Sequence, residues 1–96
     1  MHLEVAILAA KDGNTAGLIR AMNEGGSAAL LSAPGCRSVK VLPGVEHPEN
    51  ALFLVEWDSV EAHDAARGSE GFALFRTIAG PFFGQSGSMQ HFDLGT

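Results

Sequence analysis

The sequence predicts an α+β fold in which two helices lie on one face of a four-stranded antiparallel sheet, in the order βαββαβ. Three observations lead there. The 96 residues form one domain, residues 1–96, with no linker, internal repeat or low-complexity tract. Proline and glycine clusters cut the chain into four strand-like and two helix-like stretches. The first and third strand-like stretches are apolar on nearly both faces, as central strands of a covered sheet are.

Leu3 to Ala10 (LEVAILAA) is short, apolar and β-compatible, and Asp12-Gly13-Asn14 breaks it and offers a helix N-cap at Asn14. From Thr15, the positions Leu18, Ile19, Met22, Ala29 and Leu30 fall mostly at helical spacing until Pro34-Gly35 stops the run. Gly25-Gly26 interrupts it. Two glycines in a helix interior cost about 1 kcal/mol each, so a kink or a break is expected there.

Cys36 to Leu42 alternates, with Val39 and Val41 opposite Ser38 and Lys40, which predicts a half-exposed edge strand. Pro43 to Asn50 is a turn with two prolines, and Ala51 to Trp57 (ALFLVEW) is the second buried strand. Asp58 and Glu61 stand three apart as an acidic capping box opening a short helix, which Gly68 ends and Ser69 restarts. Phe72, Phe75, Ile78 and Ala79 then form an inward stripe. Gly80-Pro81 closes that helix, Phe82 to Gly87 reads as a loop, and Ser88 to Leu94 reads as the last strand. This order is the split βαβ, ferredoxin-like arrangement. Its helices cover one sheet face only, so the apolar second face predicts a homodimer with sheets packed face to face.

Composition narrows the function. A net charge of −5 with no cluster of Lys or Arg argues against nucleic acid as a partner. With 46% hydrophobic residues, 18% charged and a mean hydropathy of +0.13, the chain is too apolar for disorder. The longest plainly apolar run, Val5 to Ala10, is far short of the about 20 residues of a membrane span. Met1-His2-Leu3-Glu4 has no basic leader region, so a cytoplasmic protein without membrane association is expected. The single cysteine, Cys36, rules out an internal disulfide and reads as a buried apolar thiol. The chain has no tyrosine.

No nucleotide-binding glycine loop, HExxH zinc motif or nucleophile elbow is present, and no histidine pair has metal-ligand spacing, so neither a cofactor-binding nor a metal site is expected. The candidates are softer. His63 and Arg67 share a helix face one turn apart. A histidine there can take a proton near neutral pH while the cation holds developing oxyanion charge, as deprotonation of an acidic phenol or enol requires. The plainer alternative is a His63 bonded to a backbone carbonyl and an Arg67 in solvent. Trp57 ends a buried strand, where an indole either fills the core or walls a cavity and offers its N–H. Phe72, Phe75, Phe82 and Phe83 surround the end of the second helix, as core or as the wall of a site for a flat apolar ligand. Arg76 follows Phe75 and stands as a flanking cation or a surface charge. His91 shares a strand face with Met89 and Asp93, as core filling, as a dimer contact or as a ligand contact. His2 and His47, at a terminus and in a turn, are expected in solvent.

The Pro34-Gly35-Cys36 entry to the second strand, the Glu46-His47-Pro48 turn, the stretch from Leu52 to Arg76, GPFF from Gly80 and QHF from Gln90 together resemble the antibiotic biosynthesis monooxygenase family of the dimeric α+β barrel superfamily. The most specific part is W-x-S-x-E-x-H from Trp57 to His63, followed by S-x-x-F from Ser69. The resemblance implies the dimeric α+β barrel fold and, among possible reactions, cofactor-independent oxygenation of aromatic polyketides with molecular oxygen as co-substrate. It implies catalytic roles for Trp57, for His63 where the polyketide oxygenases tend to place a tyrosine, and for Arg76 as their helix-two arginine. Phe53 replaces the asparagine those enzymes carry before the tryptophan, and the absence of tyrosine excludes a tyrosine-dependent mechanism. Haem-degrading relatives are disfavoured as models, because Phe75 and Ala66 fall where they carry the iron-ligating histidine and the ring-ruffling tryptophan.

The resulting expectation is a cofactor-free monooxygenase. His63 acts as base, Arg67 or Arg76 steadies the anion, Trp57 with Phe72, Phe75 and Phe83 holds the ring, and His91 contacts substrate. A non-redox cyclase or isomerase and a non-catalytic ligand-binding dimer remain as alternatives.

Overall fold

A computed structural model describes residues 1–95. The strands are β1 (His2–Ala10), β2 (Cys36–Pro43), β3 (Asn50–Trp57) and β4 (Phe83–Asp93). They form one antiparallel sheet in the order β2-β3-β1-β4, which puts the two apolar strands in the centre and β2 at an edge. The period-2 alternation of β3 is complete: Ala51, Phe53, Val55 and Trp57 are buried, and the residues between them are partly exposed. In β1, Glu4 lies opposite Val55, so Glu4, Ala6 and Leu8 point to the same face as the β3 core residues.

The helices cover that face. α1 (Thr15–Ala21) begins where Asn14 accepts the Gly17 N–H at 3.0 Å, the expected cap. A π-helical turn over Met22–Gly26, with Gly25 at φ 161°, ψ −26°, leads into α2 (Ser27–Leu31), so the glycine pair breaks the helix as expected. α3 (Val60–Ala66) and α4 (Glu70–Ala79) follow β3, and the Ser69 hydroxyl accepts the Phe72 N–H to restart the helix after Gly68. Leu18, Met22 and Leu30 from the first helical run meet Phe75 and Ala79 from α4 and Phe53, Val55 and Trp57 from β3 in one core. Cys36 is buried beside it.

Three sequence expectations are corrected. The α3 cap is Ser59, whose hydroxyl accepts the Ala62 N–H at 3.0 Å, and not Asp58, whose carboxylate is taken by Arg37 at 2.6 Å. The stretch from Phe83 to Gly87 is the first half of β4 and not a loop. Two register shifts against β1 accommodate it, and its glycines lie against β1 so closely that a Cβ at Gly84 would sit 2.9 Å from Ala9 O and one at Gly87 2.5 Å from Ile7 O. The third correction is His2, which is half-buried: its Nδ1 accepts the Val60 N–H at 3.1 Å and ties β1 to the start of α3. His47 is exposed as expected.

Leu3, Val5 and Ile7 alternate onto the other face of the sheet. There Leu3 pairs with Phe92 of β4, Ile7 with Leu52 of β3, and Leu52 in turn with Leu42 of β2. Ile7, Leu42 and Phe92 are exposed at 42%, 37% and 46%, an apolar surface that the helices leave uncovered.

Candidate functional site

Four side chains from four elements converge between the helices and the sheet. Trp57, the last residue of β3, is fully buried, and its Nε1–H donates to Glu4 Oε1 of β1 at 3.0 Å. His63 sits in the middle of α3, where the Ser59 cap aims the helix so that the imidazole lies flat on the indole, with centroids 4.5 Å apart and planes 9° apart. His63 is 3% exposed and Glu4 9%. Register completes the group: β4 pairs His91 with Glu4, and His91 Nε2 lies 2.8 Å from His63 Nδ1. The other ring nitrogen of His63, Nε2, is 3.4 Å from Glu4 Oε1.

Either tautomer of His63 serves this arrangement. With the proton on Nδ1 it donates to His91, and the Nε2 lone pair stands beside Glu4. With the proton on Nε2 it points at the carboxylate and accepts from His91. Burial pushes the His63 pKa below its ordinary value, the Glu4 carboxylate pulls it back up, and His91 and Arg67 push it further down. The neutral imidazole is therefore the resting form at neutral pH, able to accept a proton and to have the resulting cation stabilised by Glu4.

A cavity of about 380 Å³ opens beside this group, within the range of small-molecule sites, about 300–1,000 Å³. Glu4, Trp57 and His63 supply one polar wall, and Ala6, Leu8, Leu30, Phe53, Val55, Phe72, Phe75 and Phe83 supply the apolar ones. The phenylalanines form a connected aromatic surface, with ring centroids 5.4 Å apart for Phe72 and Phe75 and 5.8 Å for Phe75 and Phe83. Arg67, one turn beyond His63, is exposed and contributes to the lining, so it marks the solvent edge of the cavity.

The fold thus brings together Trp57, His63, Arg67, Phe72, Phe75 and Phe83. It leaves Arg76 outside. One residue beyond Phe75 is about 100° around a helix, so Arg76 is exposed, with its guanidinium carbon 5.2 Å from the centroid of the Phe72 ring. His91 touches His63 but does not line the cavity, and neither does Phe82. Among the described residues, no group of three His, Cys, Asp or Glu side chains is placed to hold a metal ion.

Glu4 is the candidate site residue that sequence reasoning missed. Its signal was a lone charge in LEVAILAA, two residues before Ala6 and four before Leu8, and hence on their face of the strand. An inward carboxylate in a central strand requires buried donors, and the order β3-β1-β4 makes Trp57 and His91 its neighbours.

Comparison with known proteins adds a family match: residues 1–77 match the family model described as antibiotic biosynthesis monooxygenase. Among solved structures, the chain is similar to an antibiotic biosynthesis monooxygenase-family protein from Bordetella bronchiseptica, with 22% identity and a TM-score of 0.85 over 96% of this chain and 94% of that one. It is also similar to a family protein from Chloroflexus aurantiacus, with 23% identity and a TM-score of 0.76 over 99% and 94% of the two chains. A third, from Nitrosomonas europaea, is 10% identical, with a TM-score of 0.74 over 100% of both chains. At these identities the structural matches establish the shared fold. No curated protein gives a significant match. Among the described residues, no helix is long and apolar enough to cross a membrane.

Proposed function

The chain belongs to the antibiotic biosynthesis monooxygenase family, and from that premise we propose that it is a cofactor-independent monooxygenase for a flat aromatic or enolic, polyketide-like small molecule. The observation that carries this reading is the cavity itself, an aromatic-walled space with a buried His63 and Glu4 on one side and Arg67 at its edge. A flat apolar body fits the phenylalanine walls, and an acidic hydroxyl or activated C–H is then directed at the polar side.

In this reading His63 takes the proton at Nε2, having its Nδ1–H held by His91 Nε2, and Glu4 stabilises the imidazolium. Arg67 steadies the negative charge left on the substrate. Trp57 holds His63 flat and keeps Glu4 in place. The substrate anion supplies the electrons: its carbon bonds to oxygen to give a peroxide, which collapses to a carbonyl with loss of water. A hydroxylated anthrone thereby gains one oxygen atom and loses two hydrogens. We further propose that the protein works in the cytoplasm as a homodimer, its exposed Ile7, Leu42 and Phe92 face covered by a second copy.

The test is oxygen uptake on a hydroxylated anthrone without added metal or flavin, corrected for autoxidation. His63→Ala should lower the rate at least about a hundredfold. A loss below about threefold would remove His63 from the role of base.

The polar side of the cavity is built for proton transfer, which an aldol-type cyclase or isomerase also needs, and this favours a non-redox second reading. Product mass separates the two, because isomerisation or dehydration adds no oxygen. A ligand that binds and returns unchanged would instead mark a non-catalytic binding dimer.

A further inference from the structure

A base buried under its own substrate must pass its proton on before it can act again. His63 is 3% exposed and shares the cavity wall with the proposed substrate, so direct return of the proton to water is blocked while the cavity is filled. His91 offers the other way out. It is bonded to His63 at 2.8 Å, does not line the cavity, and is only half-buried on β4, the edge strand of the sheet.

We propose that Glu4, His63 and His91 form a directed proton relay, in which Glu4 positions and stabilises His63 and His91 carries the proton from His63 to solvent. The relay rests on the reading of His63 as the base, and it replaces the expected substrate contact of His91 with a positioning and transfer role.

The transfer balances without an added reactant. One proton leaves the substrate and binds His63 Nε2. The proton on His63 Nδ1 moves to His91 Nε2, and the proton on His91 Nδ1 leaves to water. One proton has then crossed from substrate to solvent, and both rings have changed tautomer while the bond between them is kept. Proton uptake at His91 Nδ1 then runs the relay backwards: the His91 Nε2 proton returns to His63 Nδ1, and the His63 Nε2 proton passes to the peroxide oxygen that leaves as water, so the full cycle is proton-neutral and both rings regain their first tautomers. The groups that face His63 are Glu4 from β1, His91 from β4, and Asp64 and Arg67 from its own helix, while β3 presents the neutral Trp57. Glu4 is thus the nearby buried anion, and its removal should make His63 harder to protonate.

The single tryptophan makes this measurable without substrate. Trp57 is stacked on His63, so its fluorescence falls when the imidazole becomes cationic and reports the protonation of that one ring. We would titrate the whole chain by Trp57 fluorescence and by NMR of ring-¹⁵N histidine, in wild type, Glu4→Gln and His91→Gln. The amide in Glu4→Gln still accepts the indole N–H, which favours folding. The relay predicts that His63 and His91 titrate as a linked pair, each ring sensing two steps. It predicts that Glu4→Gln moves the fluorescence midpoint to lower pH and that His91→Gln leaves His63 with a single step. With a turned-over substrate, His91→Gln should lower kcat and leave KM unchanged, because the variant removes no substrate contact.

Independent single titrations of His63 and His91 would overturn the relay, as would a fall in kcat/KM for His91→Gln carried by KM. If Glu4→Gln fails to fold, His91→Gln and the NMR titration decide alone. Linked titration in a protein that takes up no oxygen on any hydroxylated ring would leave the relay standing and remove the oxygenase reading. Oxygen uptake with unlinked histidines would do the reverse.

Discussion

Replacing Trp57 by Phe and Glu4 by Leu, singly and together, asks how much of the stability of the site lies in one buried polar contact. The indole N–H reaches Glu4 Oε1 at 3.0 Å, with Trp57 fully buried and Glu4 9% exposed. In Trp57→Phe the carboxylate loses that donor, at about 1.5–3 kcal/mol for a hydrogen bond to a charged group. The void left by the missing ring atoms adds about 1 kcal/mol. Glu4→Leu strands the indole N–H in the interior, at about 1–3 kcal/mol. Removing both partners strands neither, so the double variant should lose little more than the cost of the void, about 1–2 kcal/mol, and be more stable than Trp57→Phe alone. The coupling is then at least about 1.5 kcal/mol. Urea unfolding followed by circular dichroism at neutral pH measures it, at one fixed protein concentration, since association of copies would otherwise shift the midpoint. Single-variant losses that add to within about 0.5 kcal/mol of the double would refute the argument.

Further outcomes follow from the same structure. Folding holds His63 below its ordinary pKa of 6.5, so the unfolded chain binds more protons in the window just below 6.5, and stability should rise with pH through that window and level off above it. Urea midpoints measured against pH should show that rise in wild type and a flatter line in His63→Phe; an unchanged slope in the variant would place the titration elsewhere. Burial, reinforced by Glu4, pushes the Cys36 thiol from 9.0 to about 11, so alkylation near pH 8 should run about a hundredfold slower in the folded protein than in urea, and equal rates would contradict that environment. Gly71→Ala brings a Cβ to 2.6 Å from Ala29 O; overpacking against backbone outweighs the helix-propensity gain of about 1 kcal/mol, and thermal unfolding should show a loss of about 1–2 kcal/mol.

The parts legible in the sequence were those set by local chemistry. Asn14 and Ser69 cap helices because a side-chain oxygen near the right N–H suffices, and the glycines at 25 and 26 break a helix wherever they occur. The apolar run from Ala51 to Trp57 marked a strand in the same local way, but not which face turns inward, because Leu52 and Leu54 are as apolar as Phe53 and Val55. The first half of β4 escaped because Gly84 to Gly87 carries no apolar alternation; backbone pairing with β1 makes it a strand, and that pairing is non-local. Asp58 was misread as a cap because its partner Arg37 is 21 residues away, and Ser59 next to it was free to take the cap. At the site, His63, Trp57, Phe72, Phe75 and Phe83 were legible as candidates from helical and strand spacing, whereas Phe82, grouped with them, lies outside the cavity. Arg76 was placed too close, since adjacency to Phe75 in sequence separates two side chains on a helix. Glu4 showed only as a lone charge in an apolar strand, and its partner could not be read because Trp57, whose indole donates to the carboxylate, is 53 residues away.

The site draws Glu4 from the first strand and His91 from the last, and these strands lie side by side in the sheet. During synthesis, Glu4, Trp57 and His63 all leave the ribosome before His91 does, so a nascent chain holds the carboxylate and its imidazole neighbour without the second histidine. Only the docking of β4 completes the set. Formation of the His63–His91 contact after dilution from urea therefore times the last strand joining the sheet, and a species with native helix content but without that contact is a chain still waiting for β4.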